Sequence, residues 1–125
     1  MDMNVIREHL IADSVLYSLV GDKVFLFERP EKVKCTDYVI YTFKELNGGG
    51  SIRQYQLDIR VISKDKLKLL QIKDRIIKLL DVYDRPTNIK NADEAIRTCS
   101  LVNGGGIAKN DEGEYNAFVY FLIQT

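Results

Sequence analysis

Few residues of this sequence have the types and spacing that catalysis requires. His9 is the only histidine, and no serine or cysteine motif accompanies it, so we expect its imidazole to face solvent on a helix. Asp111, Glu112 and Glu114 form an acidic cluster, but they lie in a polar stretch that is typical of a solvated loop. The sequence therefore predicts no catalytic residue and no enzyme activity.

Metal and cofactor signatures are also missing from the sequence. No His, Cys, Asp or Glu cluster has the spacing of a metal site. The glycines at 48–50 lack the Gly-Lys-Ser/Thr ending of a phosphate loop, and those at 104–106 lead towards a turn and a strand instead of a helix. Cys35 and Cys99 lie far apart, which favours reduced thiols in a cytosolic setting. We expect no metal and no cofactor.

The composition favours one domain over residues 1–125, which is long enough to bury a core. The 18 basic and 18 acidic side chains cancel, so no overall field attracts nucleic acid or an anionic membrane. No stretch approaches the roughly 18 apolar residues of a membrane span. The early acids at the N-terminus differ from a signal peptide. We expect no contact with a membrane.

The clearest structural signal is a strand that runs directly into a helix. Apolar residues alternate with polar ones at Tyr55, Leu57, Ile59 and Val61, which predicts a half-buried strand. Ser63 is the predicted N-cap of a helix over residues 64–83. Leu69, Ile72, Ile76 and Leu80 form one stripe on that helix. The helix should therefore fold back onto the sheet.

The remaining elements complete an α+β fold of order α-β-β-β-α-β-β. Residues 4–20 are predicted as one kinked helix or two consecutive helices, with Asn4 as the first cap, a restart at Asp13 and an end at Gly21. Strands are predicted at residues 23–28, 37–46, 52–62, 95–102 and 115–124. The Asn-Gly step after residue 46 favours a hairpin, and residues 103–114 are predicted as a polar turn. We expect a mostly antiparallel sheet with two helices packed on one face.

This sheet would carry more apolar surface than two helices can cover. In the last strand both faces are apolar, with Phe118, Tyr120 and Leu122 opposite the residues that face the helices. Such a patch is unusual for a monomer, so we expect the second face or an edge of the sheet to meet another copy or a partner. A closed ring would also protect the edges. The alternative is a sheet curled strongly on itself.

Three segments carry a family resemblance. They are Tyr55-Gln-Leu-Asp-Ile-Arg-Val-Ile-Ser-Lys-Asp with the Leu69, Ile72, Ile76, Leu79-Leu80 stripe, the opening Ile6-Arg-Glu-His-Leu with Asp13 and Leu19-Val20-Gly21, and the Asn-Gly-Gly-Gly turn before the strand. Over nearly its whole length the sequence resembles the small tail completion proteins of long-tailed bacteriophages, which include tail terminators and tail-to-head joining proteins.

The resemblance implies an α+β fold of this order that assembles as a hexameric ring at the head-proximal end of the tail tube. It implies that the ring ends tube polymerisation and meets the head connector. The implied partners are further copies of the chain, a tail tube protein and a head-completion or connector protein, with non-specific passage of DNA through the ring. No enzyme activity and no cofactor are implied. The implied location is the tail or neck of the virion, after assembly in the cytoplasm of the host bacterium.

On this interpretation the interface candidates fall into three groups. The hairpin tips at 47–50 and 103–114 are candidate axial contact loops, with Asn47, Gly48, Gly49, Gly50, Asn103, Gly104, Gly105 and Gly106 at their glycine-rich turns. Tyr41, Phe43, Phe118 and Tyr120 are candidates for lateral packing or for the second sheet face. Arg53, Arg60 and Arg97 are candidates for intersubunit ion pairs or for the lining of a lumen, and Arg53 also belongs to the interface set.

A small nucleic-acid-binding module is the alternative function. The order α-β-β-β-α occurs in some double-stranded-RNA-binding domains, which need basic residues to reach phosphates. The helix predicted after residue 63 is locally basic through Lys64, Lys66, Lys68, Lys73, Arg75 and Lys78. The balanced charge of the whole chain and the two further strands weigh against this alternative.

Overall fold

Two short helices open the chain in the computed structural model, which describes residues 2–47, 53–82 and 87–125. Helix α1 spans Asn4–Ile11 and helix α2 spans Ser14–Val20. Asp13 lies between them in an extended conformation and caps α2, because its side chain accepts a hydrogen bond from the N–H of Leu16 at 2.8 Å. The predicted restart at Asp13 is thereby confirmed.

Of the two predicted outer ends of this helical segment, one is wrong and one is confirmed. The Asn4 cap is wrong, because Asn4 is already the first helical residue and its own N–H donates to the Asp2 carboxylate at 3.0 Å. Gly21 ends α2 as predicted, with a φ of 62° that suits a residue without a Cβ.

One sheet contains six strands in the order β1-β2-β3-β6-β4, with β5 paired to β6 beside β4. Their bounds are β1 Val24–Leu26, β2 Tyr38–Asn47, β3 Gln54–Ser63, β4 Thr98–Asn103, β5 Ile107–Lys109 and β6 Tyr115–Gln124. Only the β1–β2 pair is parallel among these strands, and every other pair is antiparallel. The predicted α+β class and the mostly antiparallel sheet are confirmed.

Strand β5 lies inside the stretch predicted as a polar turn. Strand β4 pairs with the C-terminal half of β6 and β5 with its N-terminal half, so the two follow one edge of β6. The ladder breaks between Leu101 and Asn103, and the glycines at 104–106 carry the chain across the break. Gly105 has a φ of 61°, and a Cβ there would overlap the carbonyl oxygen of Phe118. The second glycine-rich stretch is therefore an irregularity along an edge, and the hairpin turn lies at residues 110–114.

The third helix, α3, spans Lys66–Leu80 and begins at a different cap from the predicted one. Asp65 is the N-cap, and its carboxylate accepts hydrogen bonds from the N–H groups of Leu67 and Lys68 at 3.0 and 3.3 Å. Ser63 is the last residue of β3 and is fully buried, with its hydroxyl donating to Asp37. The Ser63 cap is wrong because the Ser63 hydroxyl accepts only the N–H of Asp65 at 3.1 Å, which precedes the helix, whereas the Asp65 carboxylate accepts the N–H groups of the first turn.

All three helices pack against one face of the sheet. The predicted alternation in β3 and the predicted stripe on α3 both lie in the core. These residues are Tyr55, Leu57, Ile59, Val61, Leu69, Ile72, Ile76 and Leu80, none more than 7% exposed. The opposite face carries no helix in the described part of the chain, and we call it the open face. Its end near Tyr38, Ile40 and Ile62 forms a smaller cluster with Phe25 and Cys35.

The two outer strands, β1 and β4, have backbone groups that form hydrogen bonds with other parts of the chain. The carbonyl of Val24 in β1 accepts a hydrogen bond from Arg7 Nε at 2.9 Å. On the other side, Val82 bridges to Cys99 of β4, and the Asp81 carboxylate accepts from the N–H of Leu101 at 2.9 Å. These contacts reduce the tendency of β1 and β4 to add a further strand.

Candidate assembly surface

The strand register sets two rows of side chains across the centre of the open face. Ile40, Arg60 and Phe118 are neighbours across β2, β3 and β6, and we call them the arginine row. Thr42, Asp58 and Tyr120 are the next neighbours on the same face, and we call them the aspartate row. Together with Phe27 and Ile59, the two rows line a concavity of about 300 Å³. This concavity spans β2, β3 and β6 on the open face.

The centre of the concavity carries one charge of each sign. Arg60 is exposed, and Asp58 is half-buried with its carboxylate accepting a hydrogen bond from Gln56 Nε2 at 2.7 Å. Among the described residues, neither Asp58 nor Arg60 takes part in an ion pair. Apolar and aromatic side chains flank both charges. Such a surface suits a partner that is apolar around charges of both signs.

Phe27 at the rim of the concavity has a strained backbone. Its φ is 67°, which is rare for a bulky side chain, and the N–H of Glu28 donates across it to the carbonyl of Leu26 at 2.8 Å. The N–H of Phe27 donates to the carbonyl of Tyr41 at 3.0 Å. The ring is nevertheless 57% exposed. The sequence pattern gives no sign of this conformation, because an alternating apolar run simply extends the predicted strand through Phe27.

The aromatic candidates divide between the two faces. Phe118 and Tyr120 lie half-buried on the open face. Tyr41 is 1% exposed in the core, and Phe43 packs against that core from the same side. Tyr41 is therefore no surface contact, which corrects its grouping with Phe118 and Tyr120. The reason is the odd–even alternation of β2, which sends Tyr41 and Phe43 towards the helices and Ile40 and Thr42 towards the open face.

The candidates in the two glycine-rich stretches, at 47–50 and 103–106, differ in their position. Asn47 ends β2, whereas Gly48, Gly49 and Gly50 lie outside the described residues. Asn103 ends β4, and its side-chain oxygen accepts a hydrogen bond from the N–H of Gly105 at 2.7 Å. Gly104, Gly105 and Gly106 link β4 to β5 beside β6, away from the turn at 110–114. They are thus not a hairpin tip.

The three candidate arginines do not converge. Arg60 lies on the open face, in the middle of the sheet. Arg53 and Arg97 flank the C-terminal end of β6, where the N–H of Arg97 donates to Gln124 at 2.8 Å and the carbonyl of Arg53 accepts from Thr125 at 3.0 Å. All three side chains are exposed. Arg53 and Arg97 share one end of the sheet, and Arg60 belongs to a different surface.

The basic helix of the alternative function has part of its charge engaged. Lys68 Nζ lies 2.9 Å from Asp37, and Arg75 forms an ion pair with Asp13 at 2.6 Å. Burial tends to raise the pKa of Asp37, but hydrogen bonds from Lys68 and Ser63 outweigh it, so this pKa is lowered. Lys64 and Lys66 remain exposed near the start of α3. The free basic groups of α3 are therefore fewer than the sequence suggested.

The only histidine of the sequence lies on α1, away from the open face. His9 is half-buried instead of facing solvent, and burial lowers its pKa against an opposing hydrogen bond with the backbone of Leu79. Within residues 2–47, 53–82 and 87–125, no group of three His, Cys, Asp or Glu side chains is placed to hold a metal ion. No helix in the described chain has the length and apolar character needed to cross a membrane.

Comparison with known proteins gives a structural match without a sequence match. No protein-family model matches the chain, and no curated protein is detectably similar to it in sequence. The fold is similar to that of a chain in a solved structure described as the virion of a native gene transfer agent particle. The TM-score is 0.76 at 15% sequence identity, and the match covers 95% of this chain and 90% of the other. At this identity the match shows a shared fold.

Proposed function

We propose that this chain is a structural protein of a phage-like particle, and specifically a tail completion protein. In this role it forms a ring at the head-proximal end of the tail tube, ends tube polymerisation and joins the tail to the head connector. The observation that carries the proposal is the fold shared along nearly the whole chain with a component of a gene transfer agent virion. The protein acts by surface complementarity, without catalysis and without a cofactor.

A ring needs two different contact surfaces on each subunit, because head-to-tail contacts are heterologous. The open face is one such surface. The other is a groove of about 490 Å³ between α2 and α3, beside the exposed side chains of Val15 and Tyr17. Asp74 and Lys78 in the groove offer charges of both signs to Asp58 and Arg60 of the open face. We assign the lateral contact to these two surfaces.

The axial contacts of the ring are assigned to the two ends of the sheet. Strand register places Gln54 opposite Gln124 at one end of the β3–β6 pair and Ser63 opposite Tyr115 at the other. Asn47, which ends β2, therefore lies at one end of the sheet, and the turn at 110–114 lies at the opposite end. Different residues at opposite ends of the sheet suit a ring with one side for the tube and another for the head.

Native mass spectrometry and negative-stain electron microscopy of the purified protein, alone and with tail tubes assembled from the tube protein of the same particle, test this proposal. We expect hexamers on tube ends, and tubes that stop growing once capped. The double variant Asp111→Lys/Glu112→Lys should fold normally and lose binding on one axial side. Asp93→Lys, also exposed, is the matched control and should still cap tubes.

A protein that neither forms a ring nor binds tubes at high concentration would contradict the proposal. Tube binding that is retained in the Asp111→Lys/Glu112→Lys variant, with normal joining to head connectors, would contradict only the axial role of the 110–114 turn.

A further inference from the structure

We propose that the open face also binds a second copy of this chain through a two-fold contact, in which the arginine row of each copy lies over the aspartate row of the other. This inference goes beyond the ring function and does not rest on it. Its basis is the order of side chains in the two rows, which is complementary to itself when the strand direction is reversed.

The symmetry follows from the register. Tyr41, Ile59 and Val119 are paired across β2, β3 and β6 and lie midway between the two rows. We place a two-fold axis above this line, midway between two facing sheets and perpendicular to the strands. The axis places each strand over the same strand of the second copy, with the chain direction reversed. Facing sheets pack about 10 Å apart, with strand directions aligned to within about 30°. The axis thus exchanges the arginine row with the aspartate row.

The exchange matches the chemistry of every position. Arg60 meets Asp58 of the second copy, and Asp58 meets Arg60, so both charges are paired at the centre of the contact. Phe118 meets Tyr120 of the second copy, which places aromatic rings against each other twice. Ile40 meets the methyl-bearing Thr42. Without the strand reversal, Arg60 would face Arg60 and Asp58 would face Asp58, so the charges select this orientation.

Phe27 has a defined place in this contact. Leu26 is paired with Tyr41 in the strand register, so Phe27 lies one residue beyond the line over which the axis runs and is level with the aspartate row. Because the axis places β1 over the reversed β1 of the second copy, the exposed ring of Phe27 meets Phe25, which is level with the arginine row. A strained and exposed aromatic residue is retained when the surrounding structure or a partner favours it. Aromatic residues that become buried in an interface contribute much of its binding energy.

A second copy of the chain fits the open face better than a nucleic acid or an extended strand. A nucleic acid would find Asp58 as well as Arg60 at the centre of the concavity, so no net positive charge attracts its phosphates. An extended strand would add at a sheet edge, where Arg7 and Asp81 already satisfy groups of β1 and β4. A two-fold contact closes at two copies, so a subunit must leave this dimer before its open face can meet a ring neighbour.

Sedimentation equilibrium of the full chain without tail tubes tests the dimer, with circular dichroism to confirm that each variant folds. The wild-type protein should dimerise. Arg60→Asp and Asp58→Arg should each raise the dimer dissociation constant at least tenfold, because each places like charges opposite each other. Equimolar mixing of these two variants should restore a heterodimer, and the double variant Asp58→Arg/Arg60→Asp should restore a homodimer. Arg97→Asp, outside the open face, is the matched control and should dimerise like the wild type.

Two results would overturn the proposal. One is a wild-type chain that remains monomeric at millimolar concentration. The other is a dimer that Arg60→Asp leaves unchanged, or that neither mixing nor the double variant restores, since either would place the contact elsewhere. Because tail tubes are absent from this experiment, its failure leaves the ring proposal open to its own test.

Discussion

Arg75 on α3 holds the Asp13 carboxylate with two hydrogen bonds, from Nε at 2.8 Å and from Nη2 at 2.6 Å. The Asp13 side chain is 13% exposed and that of Arg75 is 23% exposed. The same carboxylate caps α2. One side chain therefore begins α2 and links it to α3, which makes the pair an energetic link within the helical layer.

Replacing Asp13 should destabilise the fold through two separable contributions. Asp13→Ala removes the cap and the ion pair, and we expect a loss of about 2–3 kcal/mol in the free energy of unfolding, since a cap alone contributes about 1 kcal/mol. Asp13→Asn keeps a capping oxygen and loses the charge, so its loss should be smaller. Urea denaturation at pH 7 measures both. Asp74→Asn, on the exposed side of α3, is the control and should change stability by less than about 0.5 kcal/mol. Equal losses for the two Asp13 variants would show that the cap contributes nothing.

The ion pair also predicts how stability depends on pH. The hydrogen bonds from Arg75 lower the pKa of Asp13 from 3.8 to about 2. A group with a lowered pKa in the folded state stabilises the protein above its unfolded pKa and loses that contribution as the pH falls through the folded value. The contribution is about 2 kcal/mol by the conversion of pKa to free energy. The stability difference between wild type and Asp13→Asn should therefore be full at pH 6 and shrink between about pH 4 and pH 2. A difference that stays constant down to pH 2 would contradict this assignment.

The elements that sequence analysis predicted well are those with a strong local pattern. The alternation in β3, the stripe on α3 and the bounds of β6 all follow from periodicity within a few residues. Strand β5 was missed because all three of its side chains are exposed and its existence depends on pairing with β6. The cap of α3 was misassigned because Ser63 and Asp65 are both capping residues and both accept a backbone N–H nearby, so only the start of the helix at Lys66 distinguishes them.

The candidate surface was predictable in part for the same reason. Alternation placed Phe118 and Tyr120 away from the helices, and placed Asp58 and Arg60 on the wet side of their strand. Which residue of β6 lies beside which residue of β3 depends on register across distant parts of the chain, so the two rows were not predictable. The strain at Phe27 was likewise hidden, since it arises from the bond to Tyr41 and the turn that follows β1.

Gly105 is expected to be the one glycine of its stretch that tolerates no side chain. Gly105→Ala would force a Cβ onto the Phe118 carbonyl at a positive φ, so we expect a loss of about 2 kcal/mol or more. Hydrogen exchange should accelerate at the N–H of Phe118, which donates to Gly106 at 3.2 Å. The control is Gly104→Ala, because a Cβ at Gly104 meets no neighbouring atom. If both variants behaved alike, the close approach of Gly105 to β6 would be wrong.

Phe27 offers a way to separate backbone strain from binding. Phe27→Gly removes the ring and also the strain, because glycine adopts a positive φ without a steric cost. Phe27→Ala removes the ring and keeps the strain. We expect the glycine variant to be more stable than the alanine variant by about 1 kcal/mol, since the positive-φ region costs a residue with a Cβ about that much. Thermal denaturation of both variants at low protein concentration measures this difference in the monomer. Both variants should dimerise at least tenfold more weakly than the wild type, because both lack the ring that meets Phe25 of the second copy. If the alanine variant were as stable as the glycine variant, Phe27 would not be strained. If both dimerised normally, its ring would lie outside the contact, even though strain at this position would remain.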